Sequence, residues 1–226
     1  MTNQIEILSI IEKFKGVLSQ EYNFLPVASE NEINQFENKF EVKLPSDYKW
    51  FILNIANGIE SEDKWNHNIL ERIDFQNFFY KEKEYNPSIP FNLKTKVRFY
   101  DKEDDENDDY PFEIIYDFDR KIFREGYLNG EITLAGYGCG TSAFLIINGS
   151  EYGNVWIDDY ASNQEVYPEY CLEKNQKRLT FIDWIIVELK REIKISNKAL
   201  ETQAKLINES KIVKKGLIES LKNLFK

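Results

Sequence analysis

The sequence is poor in the residues on which much enzyme chemistry rests. It has one histidine, His67, and two cysteines, Cys139 and Cys171. A zinc site needs about three or four His, Cys or carboxylate ligands, so none is expected. A cysteine nucleophile needs an adjacent base. His67 stands in the polar run WNHN and reads as an exposed residue, not that base. Two cysteines make no disulfide framework, and both read as reduced thiols, which favours a cytoplasmic setting. The glycine-rich bend Tyr137-Gly138-Cys139-Gly140 leads into a strand pattern, whereas a phosphate loop leads into a helix. No apolar run approaches the roughly 18 residues of a membrane span. The opening MTNQIEILSIIEKF carries glutamates where a leader peptide is basic. No cofactor, metal or catalytic residue is expected.

Positive charge is also in short supply. Lys and Arg number 29 against 39 Asp and Glu, a net charge of −10. The imbalance is uneven: residues 196–226 hold seven lysines and three glutamates, a net of +4, which leaves −14 on residues 1–195. An acidic body argues against nucleic-acid binding, which requires neutralising phosphates. It suits steering towards a basic protein partner, and it equally serves plain solubility. The densest acid is the run DKEDDENDD at 101–109, with seven acidic residues against one lysine. Mutual repulsion makes this an exposed loop. It reads as a solvated loop or as a partner-facing patch. The ligand spacing and internal glycine of an EF-type calcium loop are absent.

What the sequence does contain is a well-marked pair of helices between Ser29 and Gly58. Ser29 and Glu32 have capping-box spacing, and Ile33, Phe36 and Phe40 form an apolar stripe. Leu44-Pro45 breaks the chain direction. Ser46 is placed to cap a second helix, with Asp47 at the positive end of its dipole. Tyr48, Phe51, Ile52 and Ile55 form its buried stripe, and Asn57-Gly58 ends it. Upstream, residues 4–20 have helical periodicity through Ile7, Ile11, Phe14 and Leu18. Downstream, the dense apolar residues between Ile69 and Tyr80 favour a helix. Lys96 to Tyr100 fits a short strand.

The second half reads as strands. Ile114, Tyr116 and Phe118 alternate with Asp117 and Asp119, which suggests an edge strand with a solvent face. Ile132–Gly136, Ala143–Ile147 and Val155–Ile157 follow, the middle one continuous enough to be buried on both faces. Thr180 and Asp183 have capping-box spacing before a helix whose buried face is Phe181, Trp184, Ile185, Leu189 and Ile193. Residues 196–226 predict a further helix, basic and amphipathic through Val213, Leu217, Leu221 and Leu224. Packing on the chain's own acidic body or on a second copy is its economical reading, so a homo-oligomer stays open.

The segment FENKFEVKLPSDYKWFILNIANG resembles the SUKH superfamily, which contains the yeast regulators of glucan synthesis and many bacterial immunity proteins. The resemblance continues through Pro111-Phe112, Leu134, Gly138-Cys139-Gly140, Phe144 to Gly149, and Gly153-Asn154-Val155-Trp156-Ile157-Asp158, and closes with the aromatic helix. It covers roughly residues 29–190. It implies a single domain over residues 1–195, followed by the helical extension 196–226. The expected fold is α+β: a twisted, largely antiparallel sheet with helices packed against it and further helices at both ends. Such relatives have no established catalytic residues. The resemblance therefore implies a non-catalytic, protein-binding role: a bacterial immunity protein against a cognate protein toxin, expected to be basic, or a regulatory scaffold like the yeast proteins. Charge and position nominate Asp104, Asp105, Asp108, Asp109, Asp158 and Asp159 as partner contacts, with Trp65 and Tyr160 as aromatic anchors.

Overall fold

A computed structural model describes residues 2–63, 66–80, 85–98, 113–114, 128–171 and 177–224. Helix α1 (Thr2–Leu18) buries Ile7, Ile11, Phe14 and Leu18, the stripe expected from the sequence, and Ile10 beside them. Strand β1 (Tyr22–Phe24) then pairs antiparallel with β2 (Ile59–Ser61). Between them lie α2 (Glu30–Phe40) and α3 (Ser46–Asn54).

Helix α2 has the full capping box. The Ser29 hydroxyl accepts from the Glu32 N–H at 3.2 Å, and the Glu32 carboxylate accepts from the Ser29 N–H at 2.9 Å. The Leu-Pro corner is held from α2 by Glu37, only 2% exposed. Its carboxylate accepts from the Leu44 N–H at 2.9 Å, from Lys43 at 3.0 Å and from Lys49 at 3.1 Å. Burial disfavours its charge, but these three donors outweigh burial and hold its pKa below the usual carboxylate range. Ser46 does not cap α3: it is the first helical residue, Pro45 occupies the cap position, and no side chain bonds there. Proline suits that place because its missing N–H would have no helical partner.

Residues 69–80 are irregular rather than helical. Leu70 bridges Ile59, the Glu71 N–H donates to the Leu134 carbonyl, and the Asp74 carboxylate accepts from the N–H groups of Gln76 and Asn77. These bonds occupy backbone and carboxylate in a turn, which competes with a helix. The apolar residues read as helical periodicity instead cover α2, with Phe75 and Phe78 set edge-on to Phe36 at 5.3 and 5.0 Å.

The main sheet has the order β4-β3-β8-β7-β6-β5. Its members are β3 (Val97–Arg98), β4 (Glu113–Ile114), β5 (Glu131–Gly138), β6 (Thr141–Ile146), β7 (Val155–Asp159) and β8 (Glu165–Pro168). All pairs are antiparallel except β3 with β4. A separate ribbon joins β9 (Tyr170–Cys171) to β10 (Lys177–Arg178). Of the alternating segment Tyr110 to Tyr127, only Glu113 and Ile114 are among the described residues. The acidic run 101–109 lies outside them.

Strand β6 is buried on both faces, as its continuous apolar run predicts. Ala143, Leu145 and Ile147 join the helical core, while Phe144 and Ile146 join Phe91, Val97, Trp156 and Val166 in a smaller cluster on the other face. Burying one such side chain is worth about 1.5–3 kcal/mol. The turn before β5 depends on Gly130, at φ +69°: a β-carbon there would lie 2.6 Å from the Phe91 nitrogen and 2.7 Å from the Asn148 oxygen.

A short helix α4 (Tyr160–Asn163) follows β7, and α5 (Phe181–Leu224) closes the chain. The extension predicted as a separate helix from residue 196 is continuous with the aromatic helix. No proline or glycine interrupts residues 181–215, so no local signal stops the helix. Phe181, Trp184, Ile185 and Leu189 are buried, whereas Ile195, Leu200 and Leu206 are 55%, 56% and 61% exposed.

Candidate partner-binding surface

Five of the nominated contacts, Asp104, Asp105, Asp108, Asp109 and Trp65, lie outside the described residues. The other three meet where β7 passes into α4. Asp159 is only 7% exposed; Thr141 Oγ1 donates to it at 2.8 Å, as does the Asn163 amide. Its carboxylate ties α4 to β6 and faces inward, because the strand's two-residue period puts it on the side of Val155 and Ile157. Asp158 is half-buried and accepts from the Tyr160 N–H at 3.0 Å. Tyr160 presents its ring outward.

A second surface was not legible as a site in the sequence. An open cleft of about 650 Å³ lies where the starts of α3 and α5 meet the β6–β7 turn, with Gln4 of α1 on its border. Asp47 and Trp50 come from α3, Tyr152 and Asn154 from the turn, and Thr180 and Ile182 from the start of α5. Polar contacts help hold these segments together. The Asp47 carboxylate accepts from the Ile182 N–H at 3.2 Å and from the Tyr48 N–H at 2.9 Å. Asn154 bridges Thr180. Half of the box expected at α5 forms: Thr180 Oγ1 accepts from the Asp183 N–H at 3.4 Å, and the hydroxyl, not the Thr180 N–H, donates to the Asp183 carboxylate at 3.2 Å.

Burial pushes the Asp47 carboxyl above its ordinary pKa, against the backbone N–H groups that favour its charge; Asp183 adds to the upward shift. Tyr152, 47% exposed, is also raised, first by burial and then by the carboxylates of Glu37 and Asp47. It stays a protonated donor at neutral pH. Trp50 is half-buried, one side packed on the main core.

A third feature is ionic. Arg191 of α5 lies 2.6 Å from Glu188 and 3.5 Å from Glu192, with its guanidinium 5.6 Å from the Tyr137 ring centre. His67 Nε2 is 3.2 Å from the same guanidinium. The histidine expected to be exposed is therefore half-buried against α5. Trp184 Nε1 donates to the Tyr137 hydroxyl at 3.2 Å, and the Tyr22 hydroxyl to Glu192 at 3.3 Å. Burial pushes Glu188 up to about 7, with Arg191 opposing and Glu192 and Glu169 reinforcing the shift. This network fastens α5 to β1, β5 and the His67 segment.

Among the described residues, no three or more His, Cys, Asp or Glu side chains are gathered as a metal-binding group, and no helix is long and apolar enough to cross a membrane. Cys139 is an exposed free thiol at the β5–β6 turn. Comparison with curated proteins and with solved structures found no match. The family model described as SMI1 / KNR4 family (SUKH-1) matches residues 27–185, a span that includes the capped α2, the Leu-Pro corner, the whole of β5 to β8 and the start of α5. The chain, with its α+β core of antiparallel strands and packed helices, belongs to the SMI1 / KNR4 family (SUKH-1).

Proposed function

We propose that this chain is a non-catalytic protein-binding domain that acts as an immunity protein, neutralising a cognate protein toxin by direct binding in the bacterial cytoplasm. The observation that carries this reading is the charge: a SUKH domain with −14 over residues 1–195. Toxins that cleave nucleic acid have basic clefts, and an acidic protein occupies such a cleft by presenting carboxylates in place of phosphates. Complementary charge raises the association rate, and desolvated carboxylate–arginine pairs slow dissociation. The acids 104, 105, 108 and 109, with Asp158 and the rings of Trp65 and Tyr160, are the proposed contacts. Co-expression with candidate toxins tests neutralisation, and calorimetry on the pair measures affinity. Changing Asp104, Asp105, Asp108 and Asp109 to lysine is expected to weaken binding at least tenfold at low salt. An unchanged dissociation constant removes that loop from the interface.

A second reading is favoured by α5. Its outer part carries exposed Ile195, Leu200 and Leu206 on a segment of net +4. That is the character of a docking element, and it fits a regulatory scaffold with several partners. Affinity capture at low and high salt separates the two readings. One basic toxin-like partner lost at high salt supports immunity; a set of cell-wall or signalling proteins supports the scaffold.

A further inference from the structure

The cleft between α3 and α5 combines a fixed carboxylate with two aromatic side chains on an acidic body. We propose that this cleft is the anchor site for a cationic side chain, arginine in preference to lysine, carried by a basic partner protein. This rests on the protein-binding reading above and names a site within it.

Asp47 supplies the charge. Each carboxylate oxygen already holds one backbone N–H, from Tyr48 and from Ile182. A carboxylate has about four acceptor positions, so capacity remains for an incoming donor while both existing bonds keep the group from turning. Trp50 and Tyr152 supply aromatic surface on the same cleft. A guanidinium is planar, more weakly hydrated than an ammonium, and stacks on aromatic faces while donating to a carboxylate. Tryptophan, tyrosine and arginine are also the residues that dominate interface energetics.

The starts of two helices point to the same place, which by itself favours an anion. Here one leading N–H of α3 and two of α5 are already taken: those of Tyr48 and Ile182 by Asp47, and that of Asp183 by Thr180. Asp183 adds a second carboxylate beside Asp47. Neighbouring cations are engaged elsewhere, Lys43 and Lys49 with Glu37 and Arg178 with Glu151. Gln4 and Asn154 add only neutral amides.

The test needs no toxin. The isotope-labelled full chain is titrated at low salt with acetyl-Gly-Arg-Gly-amide, with the lysine and glutamate peptides and inorganic phosphate as comparisons. Saturable shifts confined to the Trp50 indole and the amides of Asp47, Tyr152 and Gly153 are expected. Binding should fall at least tenfold in Tyr152→Ala, which alters a half-exposed turn residue, and in Asp47→Asn, which keeps an acceptor for Ile182 and removes the charge. Shifts scattered over the acidic surface, no shift at millimolar peptide, or survival of binding in both variants would overturn the site. Stronger movement of the same resonances by the glutamate peptide or phosphate would overturn its cation preference, and tighter lysine binding its choice of arginine. Neutralisation is scored separately. A toxin neutralised equally by wild type and both variants overturns the site and leaves the immunity role; arginine binding without neutralisation of any toxin does the reverse.

Discussion

The Asp47 carboxylate accepts a hydrogen bond from the backbone N–H of Ile182 at 3.2 Å, so one acidic residue joins the first turns of α3 and α5 across 135 positions of sequence. The same contact forms one side of the cleft. Replacing Asp47 with alanine should lower stability by about 1–2 kcal/mol, the range of a lost helix cap. Asp47→Asn should cost less than half of that. Urea unfolding of the three proteins measures both, and equal midpoints would show that the contact contributes nothing.

Glu188 makes stability depend on pH. Its pKa rises from 4.5 to about 7 on folding, chiefly through burial. The folded state thus holds this proton more tightly than the unfolded chain, and stability falls as pH rises from about 4.5 to about 7. The contribution is about 3–3.5 kcal/mol, since one pKa unit corresponds to about 1.4 kcal/mol. Asp47, Glu131 and Glu169 shift in the same direction, so the comparison with Glu188→Gln is what isolates the effect. The variant should lose less stability than wild type between pH 5 and pH 8. Parallel curves would show that Arg191 fully offsets the burial.

Two glycines should respond in opposite directions. Gly16 lies in α1 with nothing within 4 Å of an added β-carbon, so Gly16→Ala should raise stability by about 0.5–1 kcal/mol through helix propensity. Gly130 has φ +69° and three backbone atoms within 2.8 Å of that position. Gly130→Ala should cost about 2 kcal/mol or more, combining left-handed strain with a clash that backbone cannot relieve. Thermal unfolding of both variants gives the sign directly.

The outer part of α5 should be separable from the domain. A chain ending at residue 195 keeps the buried Phe181, Trp184, Ile185 and Leu189 and the Arg191 network, and loses the exposed Leu200 and Leu206. Circular dichroism should show a smaller helical signal with a cooperative transition retained. A broad or absent transition would mean that residues 196–226 belong to the folding unit, against the proposed boundary.

Much of the fold was legible in the sequence because its determinants are local. A cap needs residues three apart, and Ser29 with Glu32 and Thr180 with Asp183 both form theirs. A helix stripe or a doubly buried strand needs only a repeat within one element, which α1, α2 and β6 display. The irregular path of 69–80 is not legible in the sequence, because apolar density alone does not distinguish a helix from a covering loop. The site was less legible still. Asp158, Asp159 and Tyr160 are adjacent in sequence, yet the register of β7 turns Asp159 inward and leaves Tyr160 outside. By itself, the sequence determined the types of most elements, the acidic character and the family. The tertiary structure alone decided that Asp47 meets Ile182, that Trp50 shares a cleft with Tyr152, and that Arg191 gathers His67 with Glu188. Those pairings join distant segments, and their energies come from burial and hydrogen bonding that exist only once the helices and sheet have packed.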